Sequence, residues 1–194
     1  MKIKCKNITF SASVPFFAVC AFFLAGQMRQ NFALAMLFSV LHEIGHILAL
    51  VFFGRKPKNI TFGFSGIRIE TDCVNLSYKQ ESVVALCGPL VNLIFIIFFL
   101  ITDISKIALI INTGLFVVNM MPVKCLDGGR FIYGLLSVFL EEKRVMLIMN
   151  ILLIVTAVVL IFIMILSLIT GFVNVSFVLF TVFLALIIIS DLIF

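Results

Sequence analysis

Charged side chains are scarce in this sequence of 194 residues: 14 Lys and Arg with 9 Asp and Glu make up 12% of it, against about 25% in an ordinary soluble domain. Apolar residues fill 63% of the chain, and the mean hydropathy is +1.31. This composition excludes a soluble globular protein. Apolar runs recur near the roughly 20 residues that carry a helix across a bilayer, so the chain reads as an integral membrane protein with the lipid bilayer as its surroundings. Cysteine pairing is absent as well. Cys5, Cys20, Cys73, Cys87 and Cys125 form no C-x-x-C pair, and an odd, scattered set provides neither a disulfide framework nor a cysteine zinc site. The net charge of +5 comes from basic residues spread through the short segments between apolar runs, so no nucleic-acid partner is expected.

No small-residue cleavage site follows the first apolar run, residues 8–27, which therefore reads as a retained span rather than a signal peptide. Further runs cover residues 32–53 and 82–101. A fourth begins near Ile107 and is interrupted by Pro122 and by Asp127-Gly128-Gly129 before apolar sequence resumes toward Leu140, which predicts a broken helix. Residues 146–168 and 172–193 close the chain. The expected architecture is an all-α membrane protein: one domain over residues 1–194, six transmembrane helices, the fourth broken, with no room for a soluble domain. Between the second and third helices, Ile60, Phe62 and Phe64 alternate with small residues ahead of Ser65-Gly66 and Ile67, a pattern that predicts a short β-hairpin over residues 59–69.

Alternating the connecting segments between the two sides places twelve of the 14 basic residues on one side: Lys2, Lys4, Lys6, Arg55, Lys56, Lys58, Arg68, Lys79, Lys124, Arg130, Lys143 and Arg144. Arg29 and Lys106 remain for the other. The positive-inside rule then predicts that both termini are cytoplasmic.

Histidine is rarer still. The chain has two, both in His42-Glu43-Ile44-Gly45-His46 within the second run. On a helix, residues four apart share a face, so this H-E-x-x-H can present two imidazoles to one Zn²⁺, with Glu43 placed to take a proton from a water. The motif also arises by chance in soluble helices. Inside a bilayer, however, an unpaired carboxylate costs on the order of 3 kcal/mol on insertion scales, so an idle Glu43 would be a burden.

Catalytic zinc usually takes three protein ligands and a water. No third histidine exists, and the metzincin position falls on Phe52, so the remaining ligand must be a carboxylate or a thiolate. Asp127 is the foremost candidate, because Pro122 and the following glycines would unwind the helix there and free the carboxylate to turn inward. At about 1.5 Å per residue, His42 and His46 stand roughly 16 and 10 Å from the inner end of their span, near the level expected for Asp127. Glu70, on the expected hairpin, and Cys125 remain alternatives.

The H-E-x-x-H, together with Asn119-x-x-Pro122 and Leu126-Asp127-Gly128-Gly129-Arg130, resembles the site-2 protease family of intramembrane zinc metalloproteases over essentially the whole chain. The resemblance implies that His42, His46 and Asp127 ligate zinc, that Glu43 is the general base, and that Asn119 helps hold the scissile carbonyl or its oxyanion. It also matches Gly88-Pro89-Leu90-Val91-Asn92 to the family's G-P-x-x-N segment. Asn92 reads equally as a substrate-binding amide or as one that merely bonds a neighbouring helix. The sequence departs from the family in having Cys125 where proline is frequent, and in lacking the PDZ or CBS domain of many members.

The expected activity is hydrolysis of a peptide bond in or near a transmembrane segment of a membrane-associated protein. By resemblance this is regulated proteolysis of a transcription-factor precursor, with a membrane protein inhibitor as a further partner. Unwinding a substrate helix leaves its backbone groups unpaired, and the hairpin carrying Ile60, Phe62 and Phe64 would pair with them by strand addition. A divalent-metal transporter using the same side chains and a non-catalytic membrane scaffold are the rival readings.

Overall fold

The computed structural model describes residues 2–5, 8–12, 29–55, 57–63, 66–71, 76–170 and 181, the strands by their backbone alone. In chain order the elements are β1 (Lys2–Cys5), β2 (Ile8–Ala12), α1 (Arg29–Phe52), β3 (Pro57–Gly63), β4 (Gly66–Thr71), α2 (Tyr78–Thr102), α3 (Lys106–Asn119), α4 (Asp127–Ser137) and α5 (Glu142–Thr170). Three of these helices, α1, α2 and α5, are long and apolar enough to cross a membrane. At 14 residues, α3 rises only about 21 Å and needs the segment after it to complete a crossing.

Two expectations meet the structure differently at the ends of the chain. The first expected span begins at Ile8, but Ile8–Ala12 is a β-strand, and the rest of that run lies outside the described residues. Alternation of Ile8 and Phe10 with Thr9 and Ser11 suits a strand, and a run judged by total hydropathy conceals that period of two. The sixth expected span, residues 172–193, lies outside the described residues apart from Thr181, which is helical and buried. The expected fifth span is α5, longer at both ends than the apolar run alone.

A four-stranded sheet is laid out in the order β1-β2-β3-β4. β1 and β2 are antiparallel, with Lys2 opposite Ser11, and β2 runs parallel to β3, with Thr9 opposite Asn59. β3 and β4 are antiparallel, with Asn59 opposite Glu70 and Gly63 opposite Gly66. The strand bearing Ile60 and Phe62 is therefore interior, its backbone paired on both sides, and the sheet's edges are β1 and β4. Strand addition at Ile60 and Phe62 themselves is ruled out, because those positions have no open ladder. Phe64 lies outside the described residues.

The helix α2 is the centre of the bundle, packing against α1, α3 and α4. Its start is set by a capping box: Ser77 Oγ accepts from the Gln80 amide, and Gln80 Oε1 accepts from the Ser77 amide. Phe38 of α1 meets Phe95 and Phe99 of α2 edge-on, at ring-centroid distances of 5.1 and 5.9 Å. Nearer the other end of the same interface, Ala49 and Leu50 pack with Val84. A separate cluster of Val123, Leu153 and Leu160 holds the turn before α4 against α5. Most other large side chains of α5, such as Ile161 and Phe162, face outward, as a lipid-facing surface requires.

Candidate metal centre

The helix α1 carries His42 and His46 one turn apart on the face turned to α2, and both are buried. His46 Nδ1 is 2.8 Å from the Val84 carbonyl. A carbonyl can only accept, so Nδ1 holds the proton and Nε2 presents its lone pair. His42 Nδ1 is 2.6 Å from Asn92 Oδ1 on α2.

Asp127 arrives from the opposite direction. After α3 ends at Asn119, residues 120–126 form a tight turn closed by backbone bonds from Val123 to Met121 and from Leu126 to Val123. Val123 is fully buried and anchors this turn. Asp127 is the first residue of α4. Its Oδ2 lies 2.9 Å from His42 Nε2 and 3.1 Å from His46 Nε2, while the two Nε2 atoms are 3.1 Å apart.

These three atoms are all lone-pair donors once each Nδ1 carries its proton, so they face one another with no hydrogen between them. A cation at their centre resolves that conflict. Ligand atoms around a tetrahedral zinc with bonds of about 2.0–2.1 Å stand about 3.3–3.4 Å apart, close to the spacing here. Two imidazoles and a carboxylate form a suitable donor set for zinc, and among the described residues His42, His46 and Asp127 are the group that could hold a metal ion. Cys125 is exposed and outside that group. Glu70 stands on β4, described by its backbone alone.

The wall of the site is Gly88. A Cβ there would stand 2.7 Å from His42 Nε2 and closer still to His46 Nε2, against both ring nitrogens that face Asp127. Gly45 makes the reciprocal approach, facing the Cys87 carbonyl at 2.6 Å from its own notional Cβ. Together the two glycines let α1 and α2 touch at the level of the histidines.

Glu43 is half-buried beside the cluster, within electrostatic reach of His42, His46, Asp127 and Arg130, and its carboxylate makes no hydrogen bond among the described residues. Asn119, at the last turn of α3, is likewise half-buried, and its amide has no partner among the described residues. Asn92 is fully buried, with its carbonyl end on His42 and its amide end on Asn112. Its polar atoms are thus engaged within the bundle rather than open to a substrate. Sequence reasoning passed over Asn112 and Gly88's contact with the histidines. An amide in the apolar run 107–118 was the available signal for Asn112.

The fold is similar to that of a solved intramembrane protease. It matches the Site-2 Protease from Methanocaldococcus jannaschii with a TM-score of 0.65 and 20% identity, over 98% of this chain and 94% of that one. In sequence, the chain is 28% identical over 124 residues to Stage IV sporulation protein FB of Bacillus subtilis (strain 168), a match covering 59% of this chain. The match covers 42% of that curated relative, so the chain aligns with less than half of its length. No family model matches the chain. The likeness to the solved structure is thus one of overall fold, and the likeness to the curated relative is one of partial sequence.

Proposed function

We propose that this chain is an intramembrane zinc metalloprotease that cleaves a membrane-associated protein in or near its transmembrane segment. The observation that carries the reading is the convergence of His42 Nε2, His46 Nε2 and Asp127 Oδ2, from two separate helices, on one buried point. These residues would hold zinc, which when bound polarises a scissile carbonyl and makes a water acidic near neutral pH. Glu43, beside the cluster, takes the proton of the attacking water and passes it to the leaving amine nitrogen. Asn119, whose amide has no partner among the described residues, donates to the oxyanion.

An unwound substrate segment has unpaired backbone groups, and the edge of β4 that pairs with no strand among the described residues is a ladder that could accept them. With the six-span alternation, most basic residues share one side, and on that reading both termini and the cleavage are cytoplasmic. The substrate class we propose is a membrane-associated transcription-factor precursor restrained by a membrane protein inhibitor.

Co-expression with a candidate membrane substrate tests the reading. Glu43→Gln should abolish cleavage while the purified protein still contains stoichiometric zinc. Retained cleavage would remove Glu43 from the mechanism. Zinc flux into vesicles without proteolysis by the native chain would favour a transporter instead.

A further inference from the structure

The two imidazoles are tied down in unequal ways. His46 is held in one step by a backbone carbonyl, whose polarity is invariant. His42 is held by a side-chain amide, which by itself could present either its oxygen or its NH₂. Had Asn92 turned its NH₂ to Nδ1, the imidazole proton would move to Nε2, into the space between His46 and Asp127. The metal-facing lone pair would then be lost.

What prevents that turn lies one helix further away. Asn112 of α3 donates from Nδ2 to the Ala108 carbonyl at 2.8 Å, an acceptor that cannot change its role. Its Oδ1 is thereby aimed at α2, where it accepts from Asn92 Nδ2 at 3.1 Å. Asn92 Oδ1 is left for His42 Nδ1. Both amides are fully buried, so water is not at hand to replace a lost partner.

We propose that Asn112 is a positioning residue, which through Asn92 fixes the face that His42 turns toward the metal. The relay crosses α1, α2 and α3, and α3 is the helix whose end leads into the turn before Asp127. One amide pair therefore joins the histidine half of the site to the carboxylate half. This inference rests on the metal reading above and extends it to a residue that touches neither metal nor substrate.

The test is the affinity of the purified full-length chain in detergent for Zn²⁺ and Co²⁺, measured by chelator competition, with the Co²⁺ visible spectrum reporting ligand geometry. Outer partners of metal-bound histidines typically cost roughly 10- to 100-fold in affinity, and Asn92→Leu should fall in that range. Asn112→Leu should weaken binding about 10-fold, the low end of the same range. Because the two act in series, the double variant should bind no more weakly than Asn92→Leu alone. Asn112→Asp in its neutral acid form keeps the donor to Ala108 and the acceptor for Asn92, and should bind within about twofold of the native chain.

If Asn112→Leu does not yield folded protein, Asn112→Ser poses the same question. Its hydroxyl can bond the carbonyl four residues back, as those of Thr102, Thr113 and Thr156 do, yet it is too short to reach Asn92. It should weaken binding as the leucine does. Native affinity in both Asn112→Leu and Asn112→Ser, losses that multiply in the double variant, or an Asn112→Asp as weak as the leucine would overturn the proposal. His42→Ala separates this inference from its premise: native affinity there defeats the metal site itself, whereas loss there beside neutral Asn112 variants defeats only the relay.

Discussion

The two halves of the candidate site are built on opposite principles. On α1 an unbroken helix sets His42 and His46 by its own period, and nothing beyond the helical hydrogen bonds is required to put them on one face. Asp127 stands at the start of a helix that follows a tight turn, and its place depends on Val123 packing against Leu153 and Leu160 of a later helix. The first half is thus local and the second is assembled. A ligand pair made by periodicity tolerates change around it, while a ligand delivered by a turn inherits every weakness of that turn.

The largest effect should come from the surface that both halves share. Gly88→Ala places a methyl against the Nε2 atoms of both histidines, and zinc affinity of the purified protein should fall beyond the roughly 100-fold typical of outer-shell changes. Native zinc affinity in that variant would show that the three donors do not share one ion. Asp127→Asn comes next. It leaves the turn intact and removes the charge, so cleavage should drop to the level of Glu43→Gln while the imidazole pair retains weakened metal binding. Equal zinc affinity with and without the carboxylate would make the comparison between the halves empty.

Gly129→Ala sharpens the contrast by striking the assembled half alone. A Cβ there meets the Val123 carbonyl and the Lys124 nitrogen, so the turn must shift. Metal affinity should fall about 10-fold, by an outer-shell mechanism, with α1 unaltered. The smallest effect is expected at Ser77→Ala, which removes the capping box of α2 without approaching the site. It should cost about 1 kcal/mol of stability in a detergent thermal melt and leave zinc affinity unchanged.

How much of this was legible beforehand follows the same division. His42, Glu43 and His46 could be read as a unit because helical spacing is written into a five-residue string. The interruption at Pro122 was legible as a break, and the structure has α3 and α4 on either side of it, but Asp127-Gly128-Gly129, expected to unwind the helix, form the first turn of α4. The strand at Ile8–Ala12 was hidden inside a run whose hydropathy suggested a span. The interior position of β3 was hidden as well, because pairing with β2 joins segments separated by the whole of α1. Asn92 drew notice as a motif residue, but its engagement with Asn112 required two helices to be laid side by side.

Composition and periodicity alone determined the membrane setting, the location of the long helices and the paired imidazoles, because each depends on residues near one another in the chain. Tertiary structure decided which acid meets those imidazoles, which glycine leaves them room and which amides hold the ring of His42 in its orientation. Those outcomes depend on contacts across 20 to 85 residues of sequence, where no local pattern constrains which partner is met.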